Sequence, residues 1–155
     1  MGIGGSMLIR EINKRGITLI ELVIVFVIIA IGAVLLVPNI GGWLPNYRLR
    51  SATRDIVSTM RTAQMKAVSN NTEYQVLFNA GTYILQYRDT GVNWINEGTT
   101  QTLPSGIQII APFPGNIAHF NPNSTSSTGS MTLENTKKQT RKITLTPATG
   151  RIKIE

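Results

Sequence analysis

The sequence predicts an α+β fold in which one long amino-terminal helix packs on antiparallel β-sheets. Three observations lead to this prediction: an apolar run over residues 17–37, a helical repeat over residues 47–68, and a series of short strand patterns after it. The strands follow the helix and do not alternate with further helices, which favours antiparallel sheets. With 155 residues, of which 42% are hydrophobic, the chain can form one domain with a modest core.

The apolar run predicts a membrane-spanning helix. It reads ITLIELVIVFVIIAIGAVLLV, and as a helix it would extend about 32 Å, close to the thickness of the hydrocarbon layer. The segment before it carries three positive charges, on Arg10, Lys14 and Arg15, and one negative charge, on Glu11. Such a basic excess stays in the cytoplasm. We therefore expect a single-pass protein whose amino terminus lies inside and whose carboxy-terminal part lies outside.

A secretory signal peptide is the alternative interpretation of the same run. Residues 17–29 would be its apolar region, and Ala30 and Gly32 would mark the small-residue cleavage site. Glu21 argues against it, because a carboxylate then lies inside the apolar region, and the residues after the cleavage site are still apolar. In a membrane helix Glu21 is costly, so it is expected either to reach the headgroups or to have a functional partner.

The residues around position 16 resemble the processing site of type IV prepilins and pseudopilins. Lys14-Arg15-Gly16 is followed by ITLIEL, so the acid lies five residues into the chain that starts at Ile17, and Pro38 ends the first helical half. The resemblance implies cleavage between Gly16 and Ile17 by a prepilin peptidase, and N-methylation of Ile17, where Phe is more usual.

The same resemblance gives Glu21 a partner, the amino-terminal ammonium of a neighbouring subunit in a filament of pilins or pseudopilins. Two opposite charges in an apolar bundle lower one another's desolvation cost, which favours assembly. The implied organisation is a leader at 1–16, a transmembrane helix at 17–37 in the inner membrane, and a periplasmic pilin-like domain at 47–155. Proline and glycine residues at 38–46 predict a flexible or bent helical connection.

Residues 47–68 form an amphipathic helix by their pattern, and the strands follow it. Apolar residues recur every three or four positions, at Leu49, Ala52, Ile56, Met60, Ala63 and Ala67. The helix is expected to end at Asn70-Asn71. Strands are predicted at 73–78, 82–88, 107–111, 117–120, 131–134, 142–146 and 151–154, with turns at 79–81 and 147–150 joining the first pair and the last pair.

The order of these elements resembles the GspH/FimT pseudopilin family. After the helix and hairpin come a Gly-Ile-Gln-Ile strand, the sequence Phe120-Asn121-Pro122 ahead of a Ser/Thr/Gly loop, and the two carboxy-terminal segments RKITL and GRIK. The resemblance implies a minor pseudopilin of a type II secretion system or a minor pilin of a type IV pilus, with a place in the tip complex.

The sequence gives little material for catalysis or metal binding. The chain has no Cys and one His, and its eight acidic residues are scattered. His119 therefore lacks the further ligands that a metal site needs, and we expect it to be structural. We predict no catalytic residue and no cofactor.

Six cations near the carboxy terminus suggest an alternative function in DNA binding. They are Lys137, Lys138, Arg141, Lys142, Arg151 and Lys153. On one face of a hairpin they would contact phosphates. Gly150-Arg151-Ile152-Lys153 resembles the Gly-Arg-x-Arg motif of family members that act in DNA uptake, with Lys in place of the second Arg. The opposing interpretation is a solvated edge that protects the sheet from aggregation.

Overall fold

The computed structural model describes residues 16–36, 40–90 and 92–155, in two units divided after residue 39. The first contains helix α1, Leu19–Leu36. The predicted span of residues 17–37 is longer, because Ile17 and Thr18 are not helical and Val37 is outside the described residues. Among the described residues, none of the helices is both long enough and sufficiently apolar to span a bilayer.

Helix α2, Ile40–Ser69, begins earlier than the sequence pattern predicts. The connection expected at 38–46 is helical from Ile40 onward, with Pro45 inside the helix, whereas Pro38 lies outside the described residues. Pro45 lies in the second turn, so only one early hydrogen bond is lost. Trp43 and Tyr47, four residues apart on either side of it, stack with ring centroids 5.1 Å apart and support this turn.

The buried face of α2 agrees with the predicted stripe. All six predicted apolar positions are buried, and Val57 joins them. Thr53 is buried on the same side, where its hydroxyl donates to the Leu49 carbonyl at 2.7 Å. The helix ends as expected, because Asn71 has a left-handed backbone with φ of 49° and the Asn70 amide still donates to the Lys66 carbonyl.

Eight strands form two four-stranded sheets in which every pairing is antiparallel. Sheet one has the order β3-β2-β1-β5 and sheet two the order β4-β6-β7-β8. In chain order the strands are β1 Tyr74–Asn79, β2 Thr82–Arg88, β3 Trp94–Thr102, β4 Ile107–Ala111, β5 Ile117–Phe120, β6 Gly129–Asn135, β7 Thr140–Thr146 and β8 Arg151–Ile154. A 3₁₀ turn, Pro114–Asn116, precedes β5.

Strand β3 is the element that the sequence pattern missed. Its sequence, WINEGTTQT, is polar and mostly exposed, because the strand lies at the edge of sheet one. Gly98 has a left-handed φ of 79°, and the pairing with β2 shifts register between Tyr83 and Leu85. An exposed, irregular edge strand lacks the apolar alternation by which strands are predicted from sequence.

The hydrophobic core belongs entirely to the second unit. Among the described residues, every buried hydrophobic side chain lies between Leu49 and Leu145. Three phenylalanines, Phe78, Phe113 and Phe120, are fully buried in this core, and the rings of Phe78 and Phe113 are 5.8 Å apart. The second unit therefore holds its core without help from α1.

We predict that the chain from residue 40 to residue 155 folds on its own, because its core is complete. Its near-ultraviolet circular dichroism should show fixed aromatic side chains, and its thermal unfolding should be one cooperative transition. Phe120→Ala in the same fragment is the control and should cost about 3–5 kcal/mol, since it leaves a cavity. A fragment that binds hydrophobic dyes and melts without a transition would contradict this expectation.

Candidate processing and assembly site

The bond that the sequence predicts to be cleaved lies just before α1. Gly16 and Ile17 are not helical, and the Ile17 side chain is 77% exposed. Among the described residues other than its chain neighbours, none lies within 4 Å of a Cβ built on Gly16. The segment is therefore accessible, which a protease requires of its substrate.

Thr18 caps the start of α1, and sequence reasoning missed its role. The Thr18 hydroxyl accepts a hydrogen bond from the Glu21 amide at 3.3 Å, and the Thr18 carbonyl accepts one from the Leu22 amide at 3.2 Å. The sequence Thr-x-x-Glu at residues 18–21 is that of a capping box, and this motif could have predicted the role of Thr18. Glu21 thus stands in the first helical turn, where its negative charge interacts favourably with the helix dipole.

Glu21 is exposed, and none of the ion pairs among the described residues includes it. Its pairing with the ammonium of a neighbouring subunit stays a prediction, as does the role of Pro38.

The apolar surface of α1 is exposed all round the helix. Leu19 is 82% exposed and Val34 70%, and the aliphatic side chains between them are also exposed. A helix that is hydrophobic on every face is normally buried in lipid or among other helices. Among the described residues, none covers this surface.

His119 belongs to a polar cluster beside sheet one, as expected of a structural histidine. Its Nε2 lies 3.3 Å from Glu73 Oε2, and its ring meets Trp94 edge to face. Arg88 Nη1 donates to the same Glu73 oxygen at 2.6 Å, and this bond lowers the pKa of Glu73 below its ordinary value, with His119 acting in the same direction. Within the described ranges, no group of three His, Asp or Glu side chains is arranged to hold a metal ion.

The six cations proposed for DNA binding do not form one patch. Lys137 and Lys138 lie in the turn between β6 and β7, and Lys138 pairs with Glu134 at 3.0 Å. Because side chains alternate along a strand, Arg141 shares the face of the buried Ile143, on the core side of β7.

The remaining three cations, Lys142, Arg151 and Lys153, lie on the outer face of sheet two. Arg151 and Lys153 pair in register with Thr146 and Thr144, which share the outer face with Lys142. Lys153 is compensated by Glu155 at 2.8 Å. The predicted cluster is therefore divided among a turn and two faces of a sheet, and part of its charge is neutralised.

Comparison with known families gives the class of protein first. Residues 12–37 match the prokaryotic N-terminal methylation motif, which includes Gly16, Ile17 and Glu21. Residues 52–149 match the type II transport protein GspH. Since this second match covers more than half of the chain, the protein belongs to the type II transport protein GspH family.

Two solved structures share the fold of about 70% of the chain. The minor pseudopilin EpsH from the type 2 secretion system of Vibrio cholerae superposes with a TM-score of 0.59 at 9% identity, covering 70% of this chain and 96% of EpsH. The type IV minor pilin FimU of Pseudomonas aeruginosa PAO1 gives a TM-score of 0.58 at 12% identity, covering 71% and 90%. No curated protein matches the chain in sequence.

These matches confirm the predicted α+β pilin-like fold and the structural role of a minor pseudopilin or minor pilin. The alternative of a DNA-binding subunit gains no support from them, and the dispersal of the six cations weakens its geometric basis. The family is one of structural subunits.

We predict that the ion pair of Glu73 and Arg88 makes stability depend on pH. A lowered pKa in the folded state means that the ionised carboxylate stabilises the fold above its ordinary pKa, near 4.5, and that this contribution is lost as pH falls through the lowered value. Glu73→Gln should therefore destabilise the protein most near pH 7, and the difference should shrink as the solution becomes more acidic than pH 4.5.

Urea unfolding of the 40–155 fragment at a series of pH values measures this difference. Arg88→Gln is the matched variant, because it removes the larger cause of the shift and should flatten the same part of the profile. A constant difference between wild type and Glu73→Gln at all pH values would contradict the assignment.

Proposed function

We propose that the chain is a membrane-anchored minor subunit of a periplasmic filament, either the pseudopilus of a type II secretion system or a type IV pilus. The observation that carries this proposal is α1, whose apolar surface has no cover within the described chain and whose capped first turn holds one carboxylate. Lipid covers such a helix before assembly, and the helices of other subunits cover it afterwards.

Glu21 supplies the selectivity of this assembly. A carboxylate in an apolar environment is costly, and that cost falls when an opposite charge lies beside it. Cleavage before Ile17 creates such a charge, because it leaves a new amino terminus in the next subunit. The carboxylate of one subunit and the ammonium of another therefore stabilise each other only when the helices associate.

The leader sets the orientation of the chain. Its arginine and lysine residues hold the amino terminus in the cytoplasm, so the bond between Gly16 and Ile17 lies at the membrane face, within reach of a membrane peptidase. The domain formed by α2 and the sheets then lies in the periplasm. The match to the N-terminal methylation motif over residues 12–37 supports this arrangement.

Processing is predicted to occur between Gly16 and Ile17 and to depend on the small residue. Gly16→Leu should leave the leader attached, whereas Gly32→Leu, the same change in an equally open position of α1, should still be processed. Mass spectrometry of membrane-extracted protein from cells with active prepilin peptidase gives the answer. A mature chain beginning at residue 33 would instead support a signal peptide and refute the proposal.

Glu21→Gln is predicted to abolish most of the cross-linking to neighbouring pilins while leaving membrane insertion unchanged. Gln also serves in a capping box, so this change removes the charge and preserves the helix start. The readout is a photo-crosslinker at Val25, an exposed position on α1.

Thr18→Val is the matched control, because it removes the capping hydroxyl and keeps the charge of Glu21. It should reduce cross-linking far less than Glu21→Gln does. Equal cross-linking in wild type and Glu21→Gln would remove the assembly role. The partner that is captured, a major pseudopilin or a major pilin, identifies which of the two filaments the subunit joins.

A further inference from the structure

The exposed face of α2 carries an aromatic-basic stripe formed by Trp43, Tyr47, Arg50 and Arg54. These positions are spaced by four, three and four residues, so they lie on one side of the helix. Trp43 is 64% exposed and Tyr47 55%, although the two rings stack on each other, and both arginines are exposed. The stripe begins seven residues after the last residue of the apolar α1.

A third arginine, Arg141 of β7, extends the charge of this stripe. Arg50, Arg54 and Arg141 line a groove of about 330 Å³ together with Thr53 and Ile154. Arg50 and Arg141 also line an adjoining groove of about 300 Å³ between the start of α2 and the beginning of β7. Arg50 and Arg141 line both grooves, and we call the two grooves together the arginine groove.

The charge of the arginine groove is not neutralised by the described part of the chain. None of the ion pairs there includes Arg50, Arg54 or Arg141, while Lys66, Arg88, Lys138 and Lys153 all have carboxylate partners. One carboxylate, Asp55, borders the far side of the stripe and accepts a hydrogen bond from Ser51. Three positive charges against one negative charge leave this surface complementary to an anion.

We propose that the aromatic-basic stripe and the arginine groove bind an anionic phospholipid surface, so that α2 is a second, interfacial contact with the membrane. Trp and Tyr prefer the headgroup level of a bilayer, and the planar guanidinium fork of Arg matches phosphate oxygens. An acidic protein surface would also suit Trp, Tyr and Arg. The membrane is favoured because the stripe follows the apolar α1 by only seven residues in sequence. The inference rests on the proposed function, because α1 delivers the stripe to the membrane.

Fluorescence of Trp43 tests the inference directly. The 40–155 fragment lacks α1, and Trp94→Phe leaves Trp43 as its one tryptophan. Vesicles with phosphatidylglycerol should shift the Trp43 emission to shorter wavelength and protect it from acrylamide, and added salt should reverse both effects. Vesicles of phosphatidylcholine alone should bind much more weakly. Absence of a shift with anionic vesicles, or an equal shift with both lipids, would overturn the proposal.

Two variants of equal charge locate the contact. Arg50→Gln with Arg54→Gln should weaken vesicle binding by about fivefold per arginine. Arg61→Gln with Arg151→Gln removes the same charge farther along the domain, since Gly150 lies against Gln64 near the other end of α2. This control should bind nearly as well as wild type, and circular dichroism verifies that both variants fold.

The remaining outcomes are also decisive. Equal losses in the two variants would mean diffuse attraction and would overturn the proposal. The Arg50→Gln, Arg54→Gln variant could also keep its vesicle binding and lose cross-linking to neighbouring subunits. That result would assign the groove to an acidic protein and would overturn the proposal as well. Because vesicle binding is measured without residues 1–39, its failure is distinct from failure of processing or of Glu21-dependent assembly.

Discussion

The packing of one face of α2 against both sheets is the contact on which the domain depends. The helix touches β1 and β5 of sheet one and β4, β6, β7 and β8 of sheet two. Its face combines large residues such as Ile56 and Met60 with Ala52, Ala63 and Ala67, whose small side chains allow the sheets to approach closely. A single helix thus joins two sheets that each have one core-facing side, and the opposite face of α2 carries exposed residues such as Arg50 and Arg54.

The sequence predicted most of this domain, because its signals are local. The bounds of β2, β4, β5 and β8 agree with the predicted strands, and so does the buried stripe of α2. Helix α2 begins before the predicted amphipathic stretch, because a stacked pair of aromatic rings supports the helix across Pro45. Strand β3 was missed because an edge strand needs little apolar surface.

The candidate site was predictable only where its residues are neighbours in sequence. A linear motif predicted Gly16, Ile17 and Glu21. The same motif contains Thr18, whose role as a helix cap was missed. Arg141 and Lys142, in contrast, are adjacent in sequence and lie on opposite faces of β7, so counting charges along the chain grouped residues that the sheet separates. The arginine groove joins α2 to β7, and only the tertiary structure brings those residues together.

The exposed surface of α1 determines what can drive assembly in the proposed function. In lipid, the aliphatic side chains of α1 are already in an apolar environment, and the helices of a filament offer them an environment of the same kind. The hydrophobic effect therefore holds the helix out of water and contributes little to the choice between lipid and filament. Close packing and polar interactions then drive helix association, and the described α1 contains one ionisable side chain, Glu21. In the proposed function, a single charge pair at the start of the helix therefore contributes to the transfer from lipid to filament, because the hydrophobic effect is nearly the same in both environments.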